Sequence, residues 1–584
     1  MKTDGADAIL STAAGSGDKR RALAIAAIAG ITIPALLSAP ANPVQEEKQS
    51  PHRVYLEHAD LLHKQTSDSF LVLTGDVQFR KDAMLMYCDS AHFFPESESF
   101  DAFGNVHMEQ GDTLFVYADS MHYRSDSKLA VLYGAPVRMI NRTVELRTDE
   151  FIYDMMYEYG YYKVGGSLTD ERNHLVSAEG EYVPSTKEAT FYTDVILNSI
   201  TDSGDTLRIY TDTLYYSTVS HMAELNSPSM VINKADTIFT TNGLYNTETE
   251  VANLFERSMV KMGRGTTLIG DTLFYDKTAG YGWARGDMAI VDSLRQSTLS
   301  GNYGYYDQIS DSSYVTGRAL AMEYSRGDTL YMHGREIYSI ALIDTLRFEA
   351  DTIARTPAYE LLDTNHVVIC HPRVRFYRSD MQGVCDSLRF EEKDSVLYMH
   401  RHPIVWSDDR QIFGNLIELH LNDSTIDMAV LPDFGFTAQH VEGEFFNQLS
   451  GKEMIAYFAD DELRKLDVNG NVEAIMLPEE SDSTYNKIIN LTTSFLTADF
   501  MKQKLKRMKM WPETSGTVTP LYLARKSLFY LSKFRWFTGI RPESPEDVFV
   551  VPPQMEELML TAPEATTTFK RNRRNNTPVT PKKQ

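Results

Sequence analysis

Histidine, cysteine and aspartate are the residue types in this sequence whose spacing could support chemistry. His400 and His402 are separated by one residue, so on a β-strand they would share a face and could bind a metal ion together. No third ligand follows at a matching spacing, and a surface position is the favoured interpretation. The sequence also contains no G-x-S-x-G, H-E-x-x-H, Walker or EF-hand motif. These observations predict a protein that is not an enzyme and needs no metal or other cofactor.

Cysteines and aspartates favour structural roles. Cys88, Cys370 and Cys385 are too few for a disulfide framework, and none lies in a C-x-x-C pattern. Cys370 and Cys385 could pair if their strands are adjacent, but three small buried side chains are the favoured interpretation. Aspartates could bind Ca²⁺ between strands, although their positions at chain corners favour the capping of backbone groups.

Charge and composition exclude some classes of function. Of 584 residues, 81 are acidic and 57 are basic, which gives a net charge of −24. A binder of nucleic acid or of anionic membranes would carry a basic surface, so we predict no nucleic-acid partner. The 32 tyrosines and 28 phenylalanines indicate a β-rich protein. Length alone suggests about four domains.

A repeat of about 30 residues organises most of the chain and replaces that estimate. Its marker, which we call the anchor, is a small residue followed by Asp or Asn. Anchors occur at Cys88-Asp89, Ala118-Asp119, Thr148-Asp149, Thr211-Asp212, Thr241-Asn242, Gly270-Asp271, Gly301-Asn302, Cys385-Asp386 and Gly414-Asn415, with degenerate copies at Ala178-Glu179, Gly334-Arg335 and Gly451-Lys452. A gap of about 50 residues before Asp386 predicts an insertion near residues 341–365.

Apolar residues flank each anchor in a fixed pattern. One lies three positions before it, at Met86, Val116, Leu146, Val176, Ile209, Phe239, Leu268, Leu299 and Ile412. Others lie two and four positions after it, and the fourth is often aromatic. The two sets differ in parity, so the alternation of faces slips by one residue, as at a β-bulge. Each repeat therefore predicts a strand, a corner and a second strand.

Glycine pairs between the anchors predict turns that lead into further strands. Examples are Gly75-Asp76, Gly104-Asn105, Gly286-Asp287 and Gly470-Asn471. The basic segment Thr492–Met510 is interpreted as two strands rather than a helix. Stacked repeats of this kind bury their apolar faces on their neighbours.

The two ends of the chain differ from the repeats. Residues 1–41 have the basic, apolar and A-x-A segments of a secretory signal peptide, with an uncleaved N-terminal anchor as the alternative. We predict repeats over 52–340 and 366–512, a C-terminal cap over 513–562 and a disordered basic tail over 563–584.

The order of these motifs resembles the OstA/LptA-type domain of lipopolysaccharide transport, in the long OstA-like form of Bacteroidota. The segments that carry the resemblance are Val72–Val77, Ala102–Val106, Arg375–Leu388 and Phe446–Glu473. The resemblance covers about residues 52–545. It implies an all-β fold, an elongated β-jellyroll or solenoid-like stack of antiparallel strands.

The resemblance also implies a function without chemistry. Such jellyrolls carry the acyl chains of lipopolysaccharide between their sheets and join end to end in the periplasm by edge-strand pairing, from the inner to the outer membrane. The partners would be lipopolysaccharide, through lipid A, and other Lpt-type jellyroll proteins. The predicted groove lining consists of the residues two and four positions after the anchors: Met121, Tyr123, Phe151, Tyr153, Leu214, Tyr216, Leu273, Tyr275, Leu388 and Phe390.

Three alternatives remain open at this point. The same side chains could fill a closed β-solenoid core. The protein could be an extracellular β-helix adhesin or structural scaffold. It could also be a polysaccharide-active β-helix enzyme, although the sequence shows no Asp/Arg or Asp/Lys ladder on successive repeats.

Overall fold

A computed structural model describes residues 53–64, 69–201, 204–325, 327–343, 364–422, 426–459, 462–480, 483–502 and 504–560. These residues belong to the compact unit His52–Gln584. The predicted signal peptide (1–41), most of the predicted insertion (341–365) and the basic tail (563–584) lie outside the described residues.

The described residues form strands almost throughout. The first strands are β1 Val54–His58, β2 Leu61–His63, β3 Leu71–Lys81, β4 Met84–Phe94, β5 Ser99–Gln110, β6 Leu114–Arg124, β7 Leu129–Asn141, β8 Val144–Asp154, β9 Tyr159–Tyr162, β10 Gly166–Thr169, β11 Asn173–Ser177, β12 Glu179–Val183, β13 Glu188–Ile200, β14 Thr206–Ser217 and β15 Met222–Leu225. The next are β16 Ser229–Asn233, β17 Asp236–Thr240, β18 Gly243–Asn246, β19 Val251–Leu254, β20 Ser258–Lys261, β21 Thr266–Gly270, β22 Thr272–Asp276, β23 Tyr281–Asp292, β24 Ser297–Asp307, β25 Ser312–Thr316, β26 Leu320–Glu323, β27 Leu330–His333, β28 Glu336–Ile343, β29 Thr364–His371 and β30 Val374–Tyr377.

The remaining strands are β31 Gln382–Cys385, β32 Ser387–Glu391, β33 Val396–His400, β34 Ile404–Ser407, β35 Arg410–Gly414, β36 Leu416–Leu421, β37 Ile426–Leu431, β38 Gly435–Glu442, β39 Phe445–Gly451, β40 Glu453–Ala459, β41 Glu462–Met476, β42 Lys487–Met501, β43 Lys504–Trp511 and β44 Ser515–Pro520. Short 3₁₀ turns follow at Leu521–Leu523, Lys526–Leu528 and Glu546–Phe549, and one helix, α1, spans Pro553–Leu560.

The chain divides its strands between two facing sheets, and β3 shows how. Its first part, Leu71–Thr74, pairs with β2 and with the end of β4, whereas Val77–Lys81 pairs with the start of β4 and, from Gln78 on, with β1. The first set belongs to sheet A and the second to sheet B. All pairings are antiparallel, and both sheets continue strand by strand to β43 in sheet A and β44 in sheet B. This arrangement confirms the predicted all-β stack of antiparallel strands.

Several strands cross from one sheet to the other through a two-for-one bulge. Gly75 and Asp76 have φ values of 81° and 40° and together oppose the single residue Asp89 of β4. Gly104 and Asn105 oppose Asp89 from the other side, and the Asn105 side chain donates a hydrogen bond of 2.8 Å to the Asp89 carboxylate. We call the resulting line of anchors and bulges the seam.

The anchors are therefore corners, as predicted, but the glycine pairs are not turns. Strands β3, β5, β23 and β41 continue through their glycine pairs and only change sheet there. A glycine pair predicts a turn as readily as a β-bulge, because both structures need residues with positive φ. The actual turns lie at the far ends of the strands, on what we call the hairpin side.

The inner faces of the two sheets form one core. Phe79 of sheet B stacks on Phe100 of sheet A with ring centroids 4.2 Å apart, and both are fully buried. Most predicted apolar positions before the anchors face this core. Val176 and Phe239 do not: they lie on the outer face, 40% and 37% exposed, and their neighbours Leu175 and Ile238 are buried instead. At these two repeats the corner has the usual length but lies one residue before the predicted anchor, at Ala178 and Thr241, so the inward positions on both sides are shifted by one.

The end of the described chain runs back over sheet B. Segment Thr492–Met510 forms parts of β42 and β43, which confirms the two predicted strands. The range predicted as a cap contains β44 and then residues 521–560, which we call the strap. The strap lies along the outer face of sheet B, where Arg375 donates a hydrogen bond of 2.8 Å to the carbonyl of Ile540.

The seam predicts a position-specific cost of adding a methyl group. In Gly104→Ala the new Cβ would lie 2.5 Å from the Asp89 carboxylate oxygen and 3.1 Å from its Cβ, at a φ of 75°. Gly111→Ala is the control, because Gly111 has a φ of 61° with no atom within 4 Å. Urea denaturation should show a loss of about 1 kcal/mol for the control from backbone strain alone. Gly104→Ala should cost about 1–3 kcal/mol more, and equal losses would contradict the packed seam.

Candidate functional site

The ten predicted lining residues lie on the inner face of sheet A, in strands β6, β8, β14, β22 and β32. Nine of them are at most 1% exposed, and Phe390 is half-buried. The lining residues that lie two positions after an anchor form a row near the seam. The lining residues that lie four positions after an anchor form a second row near the hairpin side. The structure therefore brings all ten to one continuous face, while their contact with a lipid stays a prediction.

The row near the hairpin side contains a tyrosine on every second strand of sheet A. This tyrosine row consists of Tyr123, Tyr153, Tyr182, Tyr216, Tyr245, Tyr275 and Tyr306, all 5% exposed or less. The sequence prediction missed Tyr182 and Tyr245 because their anchors are shifted by one residue. The missed signal was the tyrosine spacing itself, which is close to the repeat length throughout.

Small residues separate the tyrosines on the intervening strands. Ala130 pairs with both Tyr123 and Tyr153, and Gly160 pairs with both Tyr153 and Tyr182. The alternation continues through Ala189, Ala223, Ala252, Gly282 and Ser313. Strands are about 4.8 Å apart, so each phenol ring has about 9.6 Å along the row. That spacing lets every ring extend towards sheet B.

Tyrosine hydroxyls form hydrogen bonds to sheet B at the hairpin side. Tyr153 donates to Gln110 over 3.1 Å, Asn173 donates to Tyr216 over 2.6 Å, and Asn233 donates to Tyr245 over 3.4 Å. Burial raises the pKa of Tyr182 to about 12 and raises the pKa of Tyr216 further. The hydroxyls therefore stay protonated near neutral pH and can donate hydrogen bonds.

Tyr275 makes the strongest of these contacts. Its hydroxyl donates to the buried Asp236 carboxylate of sheet B over 2.5 Å. The same carboxylate pairs with the Lys277 ammonium of sheet A and accepts the backbone N–H of Gly263 over 2.9 Å. Because the carboxylate is charged and buried, these bonds are individually stronger than neutral ones. The contacts from Tyr275 and Lys277 tie the two sheets together across the hairpin side.

A charged contact follows at the end of the tyrosine row. Arg295, in a hairpin of sheet B, lies 3.3 Å from the Asp311 carboxylate of sheet A, and His366 lies 3.1 Å from the same carboxylate. The hydrogen bond from His366 lowers the pKa of Asp311 to about 2, and the Arg295 charge acts in the same direction. Asp311 also accepts the Tyr306 hydroxyl over 3.0 Å.

Ser313 pairs with Ser339, and beyond Ser339 the same row becomes apolar. Its further members are Val368, Phe390, Leu397 and Leu419, and then Ala429, Ala456, Leu466 and Ala498. None of these side chains carries a hydrogen-bonding group. The inner face thus has a part, β8–β24, in which most row tyrosines make cross-sheet hydrogen bonds, and a part, β29–β42, that lacks them along this row. The hydroxyls of Tyr123 and Tyr182 are buried without a hydrogen-bond partner among the described residues.

The other residues considered for chemistry have structural positions. Arg401 and His402 both have positive φ and form a seam bulge, so His400 ends β33 and the two histidines do not share a strand face. Cys88, Cys370 and Cys385 are free and buried, and burial raises the pKa of the Cys88 thiol to about 11. Over the described ranges no cluster of His, Cys, Asp and Glu could hold a metal ion, and no helix has the length and apolarity to span a membrane.

Comparison with known proteins finds a similarity to OstA-like proteins over part of this chain. Residues 51–201 match the family model described as OstA-like protein, which confirms the predicted resemblance over that range. No match was found among curated protein sequences. Among solved structures the chain is similar to LptH of Pseudomonas aeruginosa, described as the LptA-homologous periplasmic component of its lipopolysaccharide transport device. That match has 15% identity and a TM-score of 0.14, and it covers 24% of this chain and 80% of LptH.

Removing one hydroxyl tests the cross-sheet contacts. Tyr275→Phe leaves the Asp236 carboxylate with one hydrogen bond fewer, so we expect a loss of about 1.5–3 kcal/mol in the free energy of unfolding. Amide hydrogen exchange should also accelerate in the adjoining hairpin, residues 262–265. Tyr305→Phe, on the outer face of the same stretch, is the control and should change stability by less than about 0.5 kcal/mol. Matching losses in the two variants would refute the contact.

Acid should weaken the contact at Asp311. Because its pKa is lowered in the folded protein, the ionised carboxylate stabilises the fold above its unfolded pKa of about 3.9. That contribution is lost as the pH falls from about 4 towards 2. The measurement is the difference in unfolding free energy between the wild type and Asp311→Asn, which should shrink as the pH falls below about 5. A difference that does not change with pH would exclude this contact.

Proposed function

We propose that this protein is a non-enzymatic periplasmic carrier of lipopolysaccharide, which passes the lipid from the inner towards the outer membrane with its acyl chains between the two sheets. Two findings support the proposal. Residues 51–201 match the OstA-like family model. The inner faces are apolar along the whole stack, and their polar groups are concentrated at the seam and at the hairpin side.

One observation carries the proposal: the two sheets are held differently at their two sides. Along the seam the backbone itself passes from sheet to sheet, so separation is impossible there. On the hairpin side, the contacts between the sheets in the described ranges are made by side chains, and a hydrogen bond contributes about 0.5–1.5 kcal/mol net. The sheets can therefore part on the hairpin side while the seam stays intact.

Acyl chains would replace the contacts that such an opening breaks. The inner side chains fill the space between the sheets, so an entering chain must separate apolar surfaces before it covers them again. Each buried methylene contributes about 0.8 kcal/mol, which offsets much of that cost. The β29–β42 part should open first, because its row has no hydrogen bonds to break.

The ends of the stack would contact the other Lpt-type jellyroll proteins. Among the described strands, β43 pairs on one side only, with β42, and β44 likewise pairs only with β42. Such unpaired edges can accept a strand from another protein. We propose that edge pairing there and at β1 and β2 joins this protein to its partners.

Nearly complete burial of the lining residues favours a second candidate, an extracellular β-helix adhesin or structural scaffold. In that case the two sheets would never part, and the inner side chains would serve stability alone.

Photocrosslinking separates the two candidates. p-Benzoylphenylalanine at Phe390, half-buried in the apolar part of the row, should capture lipopolysaccharide in growing cells. The same group at Tyr192, on the outer face of sheet A and 37% exposed, is the matched control and should not. In cells depleted of this protein, newly made lipopolysaccharide should accumulate at the inner membrane. No capture at Phe390, together with normal lipopolysaccharide placement after depletion, would favour the scaffold.

A further inference from the structure

The outer face of sheet B carries an apolar row that nothing described covers. The row runs next to the seam, with one side chain per strand from β11 to β23. Its members are paired in register across the strands: Val176, Ile196, Tyr210, Met230, Phe239, Met259, Ile269 and Ala289. We call it the outer row. It is independent of the inner face, because these side chains point away from the core.

A shallow depression lies over the middle of the outer row. Its volume is about 450 Å³. Its apolar lining includes Ile196, Tyr210, Met230 and Phe239, and Asp194 and Asp212 line its edge at the seam. Phe239 is 37% exposed even though it packs beside two methionines. An apolar surface with this shape is unusual on a protein with a net charge of −24.

The same row continues towards the C-terminus, where the strap covers it. Pairing links its members in register through His333, Arg375, Val384, Ile404, Phe413 and Phe436. The ring of Phe549 lies 4.9 Å from His333, and that of Phe537 lies 5.8 Å from Phe413. The outer row is thus the uncovered part of a surface whose other part binds a polypeptide segment.

The strap shows what kind of segment this surface binds. Its apolar residues recur at every third position, Phe534, Phe537 and Ile540. The first lies against Phe436, the second against Phe413, and the third packs with Val384 and Ile404.

Side chains beside the covered row bind the strap backbone. Gln411 donates to the carbonyl of Arg535 over 2.9 Å and accepts the N–H of Phe537 over 2.8 Å. Gln411 lies two residues from the covered-row residue Phe413 on the same strand. In the uncovered part, Asn198 and Arg208 lie at the equivalent positions, two residues from Ile196 and Tyr210, and they pair with each other across the strands. The uncovered surface therefore offers both the apolar row and polar groups beside it.

We propose that the outer row between β11 and β23 is a docking site for an irregular, non-helical segment of a partner protein, with large apolar side chains at every third residue as in the strap. The row is one side chain wide and flanked by polar and charged side chains, Arg208 and Lys261 among them. A single polypeptide segment fits that width, whereas a second sheet or a lipid surface would bury the flanking charges. The site does not depend on lipid carriage.

Peptide binding to the full-length protein tests the proposal. The probe is a fluorescein-labelled peptide with the strap sequence 531–542, and its control has Phe534, Phe537 and Ile540 replaced by alanine. Fluorescence anisotropy should show saturable binding of the first peptide and at least tenfold weaker binding of the second. Phe239→Asp and Ile196→Ser should each weaken binding at least tenfold, with unchanged circular dichroism and melting. Tyr192→Asp, an equally exposed aromatic position on sheet A, should leave binding unchanged.

Three results would overturn the proposal. The first is absent binding, or binding equal in the wild type and Phe239→Asp. The second is accelerated hydrogen exchange in β34 and β35 on peptide addition, because the peptide would then have displaced the strap. The third is a dimer of the free protein that Phe239→Asp converts to a monomer, because a second copy would then occupy the row.

Discussion

The architecture depends on the two-for-one bulge at the seam. Where it occurs, the bulge opposes a single anchor residue, so the bulged strand changes sheet at the same height as its neighbour. This constraint keeps the two faces in register over the whole stack. It also explains the residue types: the bulge needs positive φ at two successive positions, and close contact with the anchor excludes a Cβ at residues such as Gly104.

Register at the seam determines the chemistry at the opposite side. Because every strand leaves the seam at the same height, the fourth residue after each anchor reaches the hairpin side in line with the others. Tyrosines in that line meet polar residues of sheet B, such as Gln110, Asn173 and Asp236. Where the line turns apolar, after Ser339, the sheets have only apolar contacts there. One repeated sequence pattern thus produces two parts of the inner face that differ in how strongly the sheets are joined.

Local and periodic features could be predicted from the sequence, and features that depend on distant pairing could not. The anchors, the parity slip and the ten inward side chains follow from alternation within a strand. The prediction places Val176 and Phe239 on the wrong face because the anchor pairs Ala178-Glu179 and Thr241-Asn242 lie one residue later, relative to the corner, than the other anchors. A cap was predicted over 513–562, but not that residues 521–560 run back over sheet B: Arg375 and Ile540 are 165 residues apart, and an irregular segment has no period that would indicate what it covers.

The alternation of tyrosine and small residue has a consequence for how such a protein changes its length. One repeat contributes one ring and one gap, so duplication of about 30 residues inserts a complete unit between existing ones. Neighbouring units keep their partners, and both edges of the stack stay as they were. Reach can therefore grow in steps of two strands, about 9.6 Å each, without redesign of any contact already present. The length of such a protein is therefore set by the number of its repeats.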